Sequence, residues 1–127
     1  MKAIIEDYGG AGVTTEEVEL PSVAELDSAL ERIQNWNSGF LNMEGQRQIM
    51  MIASSEGNFQ VIVEDLDRGF FHKLTDRTGD GTIYFSEGGQ GLDAPFRVVL
   101  NLEEIKAVAK EFFETGVVDL SQGWEYA

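Results

Sequence analysis

The sequence predicts an α+β fold in which two helices cover one face of an antiparallel β-meander sheet. Apolar residues recur at helical spacing in two segments, one towards each end of the chain. Between them lie short stretches rich in β-branched and aromatic residues, bounded by glycine, asparagine or aspartate. Strand-length stretches linked through turn residues are typical of an antiparallel meander, so we expect a sheet of about five to seven strands.

The N-terminal part is expected to begin with a strand in KAIIEDY, residues 2–8, paired with a second strand in TTEEVEL, residues 14–20. A helix is predicted over about residues 22–37, because Ser22 is followed three residues later by Glu25 in the pattern of a capping box. The apolar stripe of this helix consists of Val23, Leu26, Leu30 and Ile33.

The rest of the chain contains five more segments of strand length and a second helix. The strand segments are RQIMMIAS (47–54), NFQVIVED (58–65), GFFHKLT (69–75), TIYFSE (82–87) and FRVVLN (96–101). The helix is predicted over about residues 102–115, where Asn101 and Glu104 form a capping box and Gly116 is the stop signal. Its buried stripe is expected to contain Ile105, Val108, Ala109, Phe112 and Phe113.

Length and composition predict one packed domain over residues 1–127. The chain is 43% hydrophobic and has two prolines, and no low-complexity linker divides it. It contains no cysteine, which excludes disulfides, thiolate metal sites and cysteine nucleophiles. No run of about twenty apolar residues is present, and the apolar run before Glu6 is too short for a signal peptide. We therefore expect a cytoplasmic protein without a membrane segment.

Charge is the extreme feature of the composition. The chain has 23 acidic and 9 basic residues, for a formal net charge of −14. Such a chain is not expected to bind nucleic acid or an anionic membrane directly. A basic protein surface is the macromolecular partner that this charge favours, although acidity also serves solubility alone.

The segment DRTGDGTIYFSE, residues 76–87, has the ligand spacing of an EF-hand calcium loop. The loop positions are occupied in order by Asp76, Thr78, Asp80, Gly81, Thr82, Tyr84 and Glu87. The following GGQGLDAP cannot form the exit helix that an EF-hand requires, because it is rich in glycine and ends in proline. We therefore predict a β-hairpin with its turn at Gly79, Asp80 and Gly81, no metal and no cofactor, and keep a calcium-responsive binding module as the alternative.

Two other features of the sequence contain residue types that can carry chemistry. The glycine-rich YGGAGV, residues 8–13, lacks the lysine and hydroxyl residue of a phosphate-binding loop, so a plain loop is expected. His72 is the only histidine, and no serine stands in a nucleophile-elbow setting that it could activate. We predict that the protein is not an enzyme, with a small carboxylate-dependent hydrolase as the less favoured alternative.

Two acidic turns are the best local candidates for a binding surface, because loops on a rigid sheet commonly carry binding residues. One is EDLD, residues 64–67, and the other lies in the segment 76–80. The predicted partner-binding residues are Glu64, Asp65, Asp67, Asp76, Asp80, Tyr84 and Glu87.

Residues 94–127 combine a strand, a helix with small residues and a phenylalanine, a threonine-glycine pair and a later tryptophan. The matching positions are Ala107, Ala109, Phe112, Thr115, Gly116 and Trp124. This pattern resembles the end of the first-described immunity-protein family of bacterial polymorphic toxin systems, and the earlier capped helix followed by a meander is similar to its layout. Val118 and Asp119 stand where an arginine-proline pair is frequent in that family.

The resemblance implies a small cytoplasmic inhibitor that binds and neutralises a cognate secreted toxin. Toxins paired with this family include nucleic-acid-targeting deaminases and nucleases. A toxin of that kind presents a basic groove, which an acidic protein can occlude while partly imitating phosphate. Phe112 and Trp124 are expected in the core, because aromatic residues at helical spacing are usually buried.

Overall fold

The computed structural model describes residues 1–9, 12–87 and 90–127, and for residues 86, 87 and 90 it describes the backbone alone. Within these residues the chain has two α-helices, nine strands and one 3-10 turn, which confirms the predicted α+β class. The helices are α1 (Val23–Ile33) and α2 (Leu102–Thr115), and the 3-10 turn is Phe96–Val98. The strands are β1 (Lys2–Asp7), β2 (Thr14–Glu19), β3 (Gly39–Glu44), β4 (Gln48–Ser55), β5 (Asn58–Asp65), β6 (Gly69–Lys73), β7 (Thr82–Glu87), β8 (Gln90–Pro95) and β9 (Trp124–Tyr126).

Seven of the strands form one antiparallel sheet in the order β2-β1-β3-β4-β5-β6-β9. Strands β3 to β6 form an antiparallel meander in which each strand pairs with the next along the chain. Strands β4, β5 and β6 lie in predicted segments, whereas β3 does not. Strands β7 and β8 pair with each other and form a separate two-stranded sheet.

Both helices lie on one face of the large sheet, as predicted. Alternate residues of the strands point to this face, among them Ile5, Leu41 and Val61, and pack with apolar residues of α1 and α2 in one buried cluster. The helical members of this cluster are Leu26, Ala29, Leu30, Ile33, Ile105, Val108, Ala109 and Phe112. Neither helix has the length and apolar composition needed to cross a membrane.

Helix α1 is shorter than predicted and ends at Ile33. The Ser54 hydroxyl donates to the Ile33 carbonyl at 2.8 Å, and the backbone N–H of Gly57 donates to the Gln34 carbonyl at 2.7 Å. The Ile33 carbonyl also accepts from the Trp36 N–H at 3.2 Å in a tight turn. The β4–β5 region thus satisfies carbonyls at the helix end that a further helical turn would otherwise use. Helix α2 has the predicted bounds, with a reciprocal capping box between Asn101 and Glu104.

The small sheet packs against part of the opposite face of the large sheet. Phe85 and Ala94 of the small sheet form a second buried cluster with Ala53 of β4 and with Val98 and Val99. The prediction of a full strand over residues 96–101 is wrong. This segment carries the chain from the small sheet to α2 on the other face, so it forms a 3-10 turn and a single bridge to β5 instead of running along a strand.

The predicted hairpin between residues 69–75 and 82–87 is also wrong, since β6 and β7 belong to different sheets. The chain between them is held against the segment after β8. The Thr75 N–H donates to the Arg97 carbonyl at 2.6 Å, while Arg77 donates to the Val99 carbonyl and pairs with Glu104 at 2.8 Å. Residues 10 and 11 of the glycine-rich segment, and residues 88 and 89, lie outside the described residues.

Candidate functional site

The face of the large sheet opposite the helices is left open where β7 and β8 do not cover it. We call this region the open face. One row of cross-strand neighbours runs across it through Glu17, Ile4, Asn42, Met51, Ile62, His72 and Glu125. A second, shorter row consists of Glu44, Ile49, Glu64 and Phe70. Ile4 is 41% exposed and Phe70 is 49% exposed, so the open face presents apolar side chains between carboxylates.

A groove of about 350 Å³ lies at the β2 side of the open face. We call it the sheet groove. The side chains that line it from the open face are Lys2, Ile4, Glu17, Asn42, Glu44 and Ile49. Its walls are more apolar than polar, with Ile4 and Ile49 supplying the hydrocarbon surface and carboxylates standing at the rim. Such a groove fits an elongated ligand group with an apolar stem and a polar end.

Asn42 contributes an unusual polar group to this groove. Its Oδ1 atom is buried and has no hydrogen-bond partner in the described part of the chain. An unsatisfied buried acceptor costs free energy, about 1–3 kcal/mol in typical cases, which a donor from a ligand would recover. A ligand N–H group in the groove can reach this oxygen only after the amide turns about its terminal torsion, which is soft for asparagine.

The carboxylates of the open face differ in how well they are neutralised. Glu17 lies 3.7 Å from the Lys2 ammonium, and both side chains are largely exposed. Glu44 and Glu64 have no ion pair with any described residue. They therefore carry negative charge that the protein itself leaves uncompensated.

The first predicted turn is stabilised by its own acidic residues. Asp65 Oδ1 accepts hydrogen bonds from the N–H groups of Asp67 and Arg68 at 2.9 and 3.0 Å. The hydrogen bond from Gln48, followed by these backbone bonds, lowers the pKa of the Asp65 carboxyl. Asp67 forms two hydrogen bonds with the Arg47 guanidinium, and this pairing lowers the pKa of Asp67. Asp65 and Asp67 are thus occupied within the protein.

The second predicted group lies at the other end of the sheet. Asp76 and Asp80 are exposed in the connection that runs beside Val99, close to the Asn58 end of β5, whereas Asp65 is the last residue of that strand. Eight residues of strand separate the two ends by roughly 23 Å. Tyr84 is 59% exposed on the outer surface of the small sheet, and the side chain of Glu87 lies outside the described residues. The structure therefore divides the predicted binding residues into two separate groups.

The calcium-like segment does not have the surroundings of an EF-hand. Residues 82–87 form strand β7, and β8 follows, so no helix leaves the loop. Within the described residues, no group of three or more histidine or carboxylate side chains is arranged to hold a metal ion. Asp76 and Asp80 are consequently exposed loop residues rather than members of a ligand cluster.

His72 belongs to a network that sequence reasoning did not find. Its Nε2 lies 2.8 Å from Glu125 Oε1, and the Arg97 guanidinium donates to the same oxygen from Nε at 3.1 Å. The hydrogen bond with His72, and then that with Arg97, lowers the pKa of Glu125. The network ties β9 to β6 and to the 3-10 turn. Its members are distant in sequence. The sequence shows that acidic and basic residue types are present, but it does not show which of them pair.

The residues that carry the family resemblance have structural positions. Phe112 is fully buried, and the Trp124 ring is half-buried against the main core with the Lys73 ammonium 5.7 Å from its centroid. Gly116 ends α2 in a left-handed conformation with φ of 75°. The placement of both aromatic residues in or against the core agrees with the prediction.

A scan of protein-family models finds no match to this chain, and a search of curated proteins finds no similar sequence.

Proposed function

We propose that this protein is an immunity protein, which binds a cognate secreted toxin and neutralises it by covering a basic active-site groove. The partner is a basic toxin domain, with nucleic-acid-targeting deaminases and nucleases as the toxin classes that the resemblance suggests. Inhibition is steric and electrostatic, so it requires no catalytic residue or cofactor of this chain. The place of action is the cytoplasm of the producing cell.

One observation carries the proposal: the negative charge of the protein is left for a partner to neutralise. Most of the nine lysine and arginine side chains already pair with a carboxylate of the same chain. These pairs are Lys2–Glu17, Arg32–Glu16, Arg47–Asp67, Arg77–Glu104, Arg97–Glu125 and Lys106–Glu31. The carboxylates that remain create a field that steers a basic protein into contact and repels nucleic acid.

The direct test begins with the gene next to that of this protein, which the proposal expects to encode a secreted protein with a C-terminal toxin domain. Cells expressing the toxin domain alone should stop growing, and co-expression of this protein should restore growth. With purified components, the toxin activity should fall to background at one equivalent of this protein, and the affinity should weaken as salt is raised. Unchanged toxicity and no detectable complex at low salt would show that the function is wrong.

The site of contact is tested by charge reversal. Asp65 is a poor position for this test, because its replacement removes the hydrogen bonds that form the turn. Asp76→Lys together with Asp80→Lys should weaken toxin binding at least about tenfold if the second acidic group touches the toxin. Glu111→Lys together with Glu114→Lys on α2 changes the net charge equally and serves as the control. Equal weakening by both double variants would mean that only the overall charge matters.

A further inference from the structure

We propose that the sheet groove binds an arginine side chain of the partner protein. The inference rests on the proposed function for the basic character of that partner. It adds a specific contact, because none of the predicted binding residues with a described side chain lines the groove.

The shape of the groove fits the stem of a long side chain. Ile4 of β1 and Ile49 of β4 provide hydrocarbon on two sides, and Ile4 remains 41% exposed in the free protein. The methylene groups of arginine bury apolar surface while the charged end remains near water or a carboxylate. A volume of about 350 Å³ suits one such side chain with part of its backbone.

The charge of the rim selects a cation. Glu44 has no ion pair within the described residues, and Glu64 lies beyond Ile49 in the same cross-strand row. Lys2 is the one cation among the described residues that line the groove, its side chain is 79% exposed, and its ammonium lies 3.7 Å from Glu17. Such an exposed pair is weak, so Lys2 can turn away when another cation enters.

The Asn42 amide selects arginine among the cations. Its unpartnered oxygen can be presented to the groove by rotation about the terminal torsion, which is soft for asparagine. A guanidinium has five N–H donors in a planar fork, so it can reach a carboxylate with one edge and the Asn42 oxygen with another. The ammonium of lysine is compact and more strongly hydrated, and it fits two separated acceptors less well.

Other occupants suit the groove less well. A second copy of this chain carries a net charge of −14 and would bring more carboxylates to the same rim. Anionic lipid and nucleic acid are repelled for the same reason. The combination of apolar walls, an acidic rim and an Asn42 oxygen without a partner in the described residues therefore points to a basic protein segment.

The experiment titrates the 15N-labelled protein with the peptide acetyl-Gly-Gly-Arg-Gly-Gly-amide at low salt and follows amide chemical shifts by NMR. Saturable shifts should concentrate at Ile4, Asn42, Glu44 and Ile49. The same peptide with citrulline in place of arginine keeps the shape without the charge and should give no saturable shift. The Glu44→Gln variant should bind the arginine peptide about threefold to fivefold more weakly, as expected for loss of one exposed charge pair.

The matched control is Glu114→Gln. Glu114 is exposed on α2 without an ion pair in the described part of the chain, so this change alters the net charge equally, away from the groove. Its affinity for the peptide should stay within about twofold of wild type. Thermal melts of both variants show whether each remains folded.

Three results would overturn the inference: shifts spread evenly over the helices and the small sheet, equal weakening by both variants, or equal binding of the citrulline peptide. These results are separate from the test of function. If the protein inhibits the toxin but the groove does not bind the peptide, the immunity proposal stands and the arginine site is wrong. If the groove binds the peptide but the toxin is not inhibited, the arginine site stands and the immunity proposal is wrong.

Discussion

At the scale of single residues, the buried Gln48 side chain joins segments that are distant in sequence. Gln48 is 4% exposed, and its amide forms three hydrogen bonds. The Nε2 group donates to Asp65 and to the Val118 carbonyl, and Oε1 accepts from the Val118 N–H at 2.9 Å. One side chain thus holds the segment after α2 against the sheet.

Replacing this amide should destabilise the fold. The Gln48→Ala change leaves the Val118 N–H and carbonyl without partners in a buried place and opens a cavity. We expect the free energy of unfolding to fall by about 2–4 kcal/mol. Urea unfolding of this variant and of Gln122→Ala, an exposed glutamine with no side-chain hydrogen bond in the described chain, measures the difference. A loss at Gln48→Ala no larger than at Gln122→Ala would contradict the role given to the amide.

The Glu125 network should make stability depend on acid pH. Its hydrogen bonds with His72 and Arg97 lower the folded pKa of Glu125 below the ordinary value of 4.5. A carboxyl with a lowered folded pKa stabilises the protein above its ordinary pKa, and this stabilisation is lost as pH falls through the folded pKa. The free energy of unfolding of wild type should therefore exceed that of Glu125→Gln at about pH 5, and this difference should disappear as pH falls to about 3.

Chemical denaturation at several pH values gives this difference. The control is Glu114→Gln, which removes an exposed carboxyl with no ion pair in the described residues. The difference in free energy of unfolding between this variant and wild type should stay constant over the same pH range. A constant gap between wild type and Glu125→Gln at all pH values would show that the carboxyl contributes packing rather than charge.

At the scale of elements, the end of α2 and the β3–β4 turn fit closely together. The Gln46 N–H donates to the carbonyl of Gly116, the left-handed residue that ends the helix, at 2.7 Å. A Cβ placed on Gly45 would lie 2.1 Å from that carbonyl oxygen and 2.6 Å from the Phe112 ring. The turn and helix can approach so closely only because Gly45 has no side chain.

The Gly45→Ala change should consequently be costly. The added methyl group meets backbone, which cannot move aside without shifting the turn or the helix end. We expect a loss of about 1–3 kcal/mol in the free energy of unfolding. Gly12→Ala is the control, because no described atom outside its chain neighbours lies within 4 Å of the added Cβ. Equal stability of the two variants in urea unfolding would show that the turn or the helix end moves aside without cost.

At the scale of the whole molecule, the main electrostatic feature is the excess of negative charge. With 23 acidic and 9 basic residues, and most of the cations engaged in local pairs, carboxylates repel one another across the surface. Exposed ion pairs contribute little to stability, so the repulsion outweighs them. The same field is what the proposed function uses to attract a basic toxin.

Added salt should therefore raise the melting temperature. Between about 0.01 and 0.15 M NaCl the screening length shortens to roughly 8 Å, which weakens the repulsion between separated carboxylates. We expect a rise of a few degrees, measured by calorimetry. The Glu111→Lys, Glu114→Lys double variant has less excess negative charge and should show a smaller rise. A falling melting temperature would mean that the ion pairs matter more than the repulsion.

Much of the architecture was predictable because it depends on local signals. The bounds of α2 follow from Asn101, Glu104 and Gly116, whose capping interactions are formed within a few residues. The central strands β4 and β5 follow from β-branched and apolar composition. The strands β3, β8 and β9 were not predicted, because they are short or glycine-containing and are held by pairing with neighbours.

The sequence by itself determined the α+β class, both helix starts and the excess of acid, because these depend on periodicity, capping and composition. Only the tertiary structure decided that residues 76–81 cross between two sheets, that Asp65 and Asp76 lie at opposite ends of β5, and that Ile4, Asn42 and Ile49 meet in one groove. The physical reason is that register and layer packing join residues far apart in the chain. Local propensity carries no information about which distant strands become neighbours.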